Sequence, residues 1–174
     1  LTRVDGNLDL RETAITSLEG FPQEIGGDLD LGGTSITSLY GLPQKIGGSL
    51  DLSFTSITSL KGLPQEIHGY LTLEDTSITS LEGMSRKIGG TLFLYKTPIT
   101  SLQGLPEIIG ENLDLGETNI TSLDGLPPPE NIGGQIEFSS GHMVLVDEAA
   151  KRGYDVSVHD DGRGAEGPSS EEYY

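Results

Sequence analysis

A β-rich solenoid of stacked 21-residue coils, with one parallel sheet and a helix–strand cap at its C-terminal end, is the fold class this sequence predicts. Three observations carry the prediction. The tetrapeptide Ile-Thr-Ser-Leu begins at Ile15, Ile36, Ile57, Ile78, Ile99 and Ile120, each start 21 residues after the last. Two apolar residues flanking one variable position recur in step, from Leu8/Leu10 to Leu113/Leu115, with a seventh copy at Ile136/Phe138. Glycine is dense, at 25 of 174 residues, and Pro22, Pro43, Pro64, Pro106 and Pro127 return in one slot. Proline in that slot forbids a helix interior there, so the outer side of each coil must be extended or built of short turns.

Each element follows from the unit x-L-x-L-x-x-T-x-I-T-S-L-x-G-L-P-x-x-I-G-G. A copy such as 28–48 has six apolar positions, Leu29, Leu31, Ile36, Leu39, Leu42 and Ile46. That is too few to offset the entropy of ordering its residues. Stacking must supply the difference, as in other quasi-one-dimensional proteins. In the L-x-L segment both leucines point inward and the middle residue outward. Stacked copies then make a parallel sheet with about 4.8 Å between coils. Thr13, Thr34, Thr55, Thr76, Thr97 and Thr118 recur after the second leucine. A buried hydroxyl there needs partners, and a ladder to backbone groups of adjacent coils is expected. The Gly-Gly before each strand permits positive φ or close approach of coils. The repeats fill 1–140, with a two-residue insertion in Pro127–Asn131.

After the repeats, 141–159 is expected to cap the stack. Residues 140–152 read as an amphipathic helix whose buried face carries Met143, Val146 and Ala150. Gly153 stops it, and Val156 and Val158 alternate like a last strand. The acidic, Gly- and Ser-rich 160–174, ending in Tyr173-Tyr174, is expected to be disordered in the absence of a partner. No cap precedes the first strand, and the first residue is Leu. Cleavage, truncation or cover by another molecule is expected there, with self-association through that bare edge as a second structural role.

The stretch Gly47-Gly48-Ser49-Leu50-Asp51-Leu52-Ser53-Phe54-Thr55-Ser56-Ile57 resembles the leucine-rich repeat, with Leu50, Leu52 and Ile57 on its apolar slots and Thr55 on its asparagine slot. Thr58–Pro64 is similar to the short repeats of bacterial secreted effectors of the YopM and IpaH type. Threonine in place of asparagine, glycine in the first leucine slot and one extra residue per unit depart from that pattern. Another β-solenoid with 21-residue coils stays open beside it. The resemblance implies ligand binding on the concave strand face and nothing about catalysis.

Composition narrows function. Ten basic against 27 acidic residues give a net charge of −17, which repels phosphate backbones and favours basic proteins as partners. No apolar run is long enough to span a membrane as a helix. Without cysteine there is no disulfide, thiolate metal site or thiol nucleophile. His68, His142 and His159 stand in no catalytic motif. No enzyme activity, metal or cofactor is expected. Stacked aspartates supply too few oxygens per coil for calcium. An ice-binding threonine row would need outward threonines on a flat face, whereas the Thr-Ser pair is expected to bond its own turn.

The outward strand positions vary between units while the core slots do not. Asp28, Asp30 and Asp51, with Asp9, form an acidic strip. Tyr70, Phe93 and Tyr95, with Glu74 and Lys96, form an aromatic patch of the kind that anchors protein interfaces. These residues are the expected partner-binding set for a non-catalytic binding or scaffolding module. A self-assembling protein and an acidic decoy of a nucleic-acid-binding protein are the alternatives.

Overall fold

The computed structural model describes residues 2–159; Leu1 and 160–174, with the acidic tail and its terminal tyrosines, lie outside the described residues. The chain winds as a parallel β-solenoid whose front is an eight-stranded sheet. Its strands are Leu8–Asp9, Leu29–Asp30, Leu50–Asp51, Leu71–Thr72, Leu92–Phe93, Leu113–Asp114, Ile136–Ser139 and Val156–His159, side by side in chain order. Leu8, Leu29, Leu50, Leu71, Leu92, Leu113 and Ile136 stand in one register column. Each strand donates to the next coil through bonds such as Leu50 N–H to Tyr70 C=O at 3.0 Å and Leu71 N–H to Thr91 C=O at 3.0 Å. Identical residues fall in columns because the coils are equal in length, so from the second coil to the sixth the leucines and isoleucines form one buried core.

One sheet was expected; the structure adds a second column of two-residue strands at the isoleucine before Gly-Gly. It runs Arg3–Val4, Glu24–Ile25, Lys45–Ile46, breaks, and resumes Glu66–Ile67, Lys87–Ile88, Ile108–Ile109. The break has a cause. A Cβ built on the first glycine of the pair at 26, 47, 89, 110 or 133 would lie 2.0–2.3 Å from a carbonyl oxygen of the preceding coil. Close approach, not positive φ, is therefore what that glycine supplies. At the equivalent position the third copy, 49–69, carries His68. Its Cβ has no room at that spacing, so the coils part, and the ring Nδ1 reaches Ile46 C=O at 3.1 Å. Positive φ is confined elsewhere, at Gly20, Gly41, Gly62, Gly83, Gly104 and Gly125 before the L-P corner and at the turn after each strand.

The threonine column corrects the expected ladder. Each Thr Oγ1 donates to the leucine carbonyl three residues back in its own coil, for example Thr55 to Leu52 at 2.7 Å and Thr76 to Leu73 at 2.8 Å. The hydroxyl closes its own turn. Bonds between coils come instead from the residue after Gly-Gly: Asn7 Oδ1, Asp28 Oδ1, Ser49 Oγ and Asn112 Oδ1 accept the N–H of Asp28, Ser49, Tyr70 and Gln135 at 2.7–3.0 Å. The serine of Ile-Thr-Ser-Leu bonds its own turn as expected, accepting from Glu19, Tyr40, Lys61, Glu82, Gln103 and Asp124 N–H. Its threonine partner is exposed in every copy. Thr76→Val should cost about 1 kcal/mol, the net worth of one buried hydrogen bond, and chemical denaturation against the parent chain measures it.

The cap is a helix α1 (Met143–Lys151) followed by the last strand. Its buried face is Leu145, Val146 and Ala149, leaving Met143 half-exposed and Val144 and Ala150 outside. The expected Met143/Val146/Ala150 face was out of phase because residues 140–142 form a 3₁₀ turn rather than helix. Buried His142 fixes that turn, with Nε2 3.0 Å from Thr118 C=O and Nδ1 3.1 Å from Ser139 Oγ. The helix ends in a Schellman arrangement, with Gly153 at φ 92° and the N–H groups of Gly153 and Tyr154 bonding to Ala150 and Ala149 C=O.

Candidate functional site

Strand alternation turns three columns of side chains outward on the front sheet. The first (Asn7, Asp28, Ser49, Tyr70, Thr91, Asn112, Gln135) is partly occupied by the ladder just described. Asp28 belongs to it, so one oxygen of this expected partner-binding residue is committed to Ser49 N–H.

The middle column begins Asp9, Asp30, Asp51. Each of these uses Oδ1 to cap the N–H two residues on, at Arg11, Gly32 and Ser53, at 2.8–3.2 Å. Arg11 hydrogen-bonds Asp9, holding that carboxyl below its usual range, and lies 3.8 Å from Asp30. Burial raises Asp30 and, further along, Asp51, whose pKa the Ser53 hydroxyl partly pulls back. Thr72 and Phe93 interrupt the acids before Asp114. Asp114 is buried, caps Gly116 N–H at 2.8 Å and is pushed up to about 6, chiefly by that burial.

The third column holds Arg11, Gly32, Ser53, Glu74, Tyr95 and Gly116. Tyr95 was expected among the exposed aromatics, but only 7% of it is accessible. Its ring lies across Gly116, where a Cβ would come within 2.8 Å of Tyr95 Cδ2. Its hydroxyl donates to Glu117 at 2.7 Å, and Lys96 Nζ sits 5.1 Å from the ring centre. Burial, with Glu117 behind it, raises the phenol. Tyr70 and Phe93 remain half-exposed and meet edge to face with centroids 6.2 Å apart.

Two shallow depressions flank this surface and share Arg11, Asp30 and Tyr70. One, of about 280 Å³, runs past Asp28, Ser49 and His68 to Glu111. The other, of about 210 Å³, lies over Gly32, Asp51 and Ser53 and is bordered by Phe54. They exist because Gly32, Ser49 and Ser53 are small between the bulk of Arg11 and Tyr70. Phe54 was not singled out from the sequence. It is 57% exposed at φ 55°, where other coils place Glu12, Gly33, Asp75, Lys96 and Glu117. An aromatic in that left-handed position serves no packing need, and comparison across the repeats could have flagged it.

The structure thus brings Asp30, Asp51 and Tyr70 around one depression and Glu74, Tyr95 and Lys96 beside it. Among the described residues no three carboxylates or histidines converge to hold a metal ion, and no helix is long and apolar enough to cross a membrane. No family model, curated protein or solved structure matches the chain.

Proposed function

We propose that this chain is a leucine-rich-repeat-like, non-catalytic binding module that holds a basic protein partner on its front sheet. The observation that carries the reading is the contrast between columns. The buried slots repeat almost unchanged through the stack, while the outward strand positions diverge into acids at one end and aromatics in the middle. A fold that needed only solubility gains nothing from the partly exposed Tyr70–Phe93 pair, or from Phe54 bordering the same depression as Tyr70. Such aromatics bury large area at low entropic cost in an interface, and the −17 charge steers a basic partner toward them.

The test is affinity capture with the purified chain and with a Tyr70→Ser/Phe93→Ser/Phe54→Gly variant, the retained proteins being identified by mass spectrometry. The variant spares the buried Tyr95 and leaves the core columns intact. It should lose at least a hundredfold in affinity for the retained partner, since two central anchors each cost about 2 kcal/mol or more when truncated. Equal capture by both chains, or no retained protein, would overturn the reading.

A further inference from the structure

Glu74 is a further feature of the front sheet that the fold does not account for. It occupies an outward register position, yet only 7% of the residue is accessible. Its backbone is fully used, the N–H to Thr72 Oγ1 and the C=O to Phe54 N–H. Its carboxylate has no hydrogen bond and no ion pair within the described residues. The carboxylate oxygens keep a margin of contact with water, but a carboxylate so largely covered and without a protein donor is poorly solvated, which costs folding energy. The neighbours add to that cost, since Asp114, Asp51 and Asp75 all act on Glu74 with like charge and Lys96 alone opposes them. Lys96 is itself turned to Glu117, 3.9 Å away, and to the Tyr95 ring. The second oxygens of Asp51 and Asp114 also lack a protein donor, their Oδ1 atoms serving the caps. In the same column Ser53 stands on the coil before Glu74, and Tyr95, whose ring lies over Gly116, on the coil after it.

We infer that Glu74, flanked by Asp51 and Asp114, is the receptor for an arginine side chain of the partner. This deepens the front-sheet reading and rests on it. A bare metal ion does not suit the site, because the carboxylates do not converge on one point. A guanidinium does, since its donors are spread over a plane, it can engage one carboxylate with two bonds while reaching others, and its face stacks on aromatic rings. Tyr70 and Phe93 lie along the same strands. An ammonium is a compact, strongly hydrated charge and exploits such a spread site less well.

Fluorescent hexa-arginine and hexalysine peptides, titrated at 150 mM salt and pH 8, are the probes. Glu74→Gln should weaken hexa-arginine binding at least tenfold. Glu82→Gln removes the same charge from an exposed position and should change it less than twofold. Hexalysine should bind the parent chain more weakly than hexa-arginine and respond less to Glu74→Gln. The carboxyl carbon resonance of Glu74, followed by NMR, should titrate at lower pH once hexa-arginine is bound. Equal losses from Glu74→Gln and Glu82→Gln would reduce the effect to bulk charge and overturn the inference. So would equal affinity for the two peptides, or no binding by the parent chain. If Glu74→Gln binds normally while the aromatic variant loses its captured partner, the arginine receptor falls and the front-sheet reading stands.

Discussion

Gly110→Ala and His68→Gly should move stability in opposite directions, although both positions stand in the same column of the solenoid. A methyl group added at Gly110 would lie 2.0 Å from Gly89 C=O, a backbone atom that cannot swing aside. The coils must separate there, straining or breaking the bond from residue 110 N–H to Ile88 C=O, now 2.8 Å. Overpacking of about 1–3 kcal/mol and a lost hydrogen bond of about 1 kcal/mol sum to a loss of about 2–4 kcal/mol. At this chain length that lowers the melting temperature by roughly 5–15 °C. His68→Gly removes the existing wedge. A glycine N–H at 68 can then reach Ile46 C=O as Gly47 reaches Ile25 at 2.9 Å and Gly89 reaches Ile67 at 2.8 Å. The two three-stranded ladders should join. The backbone bond replaces the lost Nδ1 bond to Ile46 C=O, so the gain is the relieved overpacking of about 1–3 kcal/mol less the entropy cost of glycine, about 1 kcal/mol net. Calorimetry on both variants reads the two signs. A stable Gly110→Ala chain, or a destabilised His68→Gly chain, would remove close coil approach as the reason for the glycine column.

That column also marks what a sequence discloses about such a fold. Period, register and core were legible because one geometric fact, equal coil length, repeats each residue's environment and so each residue's identity. Leu50, Leu71 and Leu92 stack because the same pocket occurs three times. Legibility stopped where two side chains could do one job. Nothing in the spacing distinguishes a threonine that closes its own turn from one that bonds the next coil, because both need the same hydroxyl at the same position. The helix phase was lost for a similar reason: three residues of 3₁₀ turn, fixed by His142 to Thr118, rotate every later position. At the binding face, outward direction could be read from alternation, but accessibility could not. Tyr95 and Glu74 both point outward, and both are covered; for Tyr95 the reason is that Gly116 gives its ring a place to lie. Non-repeating positions are settled by their neighbours across coils, and those are visible only once the coils are stacked.

Those covered acids make the second large effect, an inverted dependence of stability on pH. Glu74 is pushed from an ordinary value of 4.5 up to about 7 by burial first and by Asp114 next, with Asp51 and Asp75 adding and Lys96 opposing. Asp114 rises to about 6 by burial, with Glu137 adding and His159 partly offsetting. Asp30 and Asp51 are raised as well. A folded-state pKa above the unfolded one contributes stability that is complete below the unfolded value and is lost as pH rises through the folded value. The loss therefore falls between about pH 5 and pH 8, with self-repulsion of the −17 chain in the same direction. Asp9, which Arg11 lowers, works the other way, but its contribution disappears only below about pH 4, outside that window. The full Glu74 displacement would be worth about 3 kcal/mol. Water reaching the carboxylate reduces this to about 1–2 kcal/mol, a fall of roughly 3–8 °C in melting temperature between pH 5 and pH 8. Glu74→Gln carries no charge to desolvate, so it should melt higher than the parent at pH 8, match it near pH 5 and flatten the profile. Melting curves at half-unit steps suffice. A parent chain that gains stability from pH 5 to pH 8 would show that the Glu74 carboxylate is already neutralised inside the fold, and would leave an arginine nothing to satisfy.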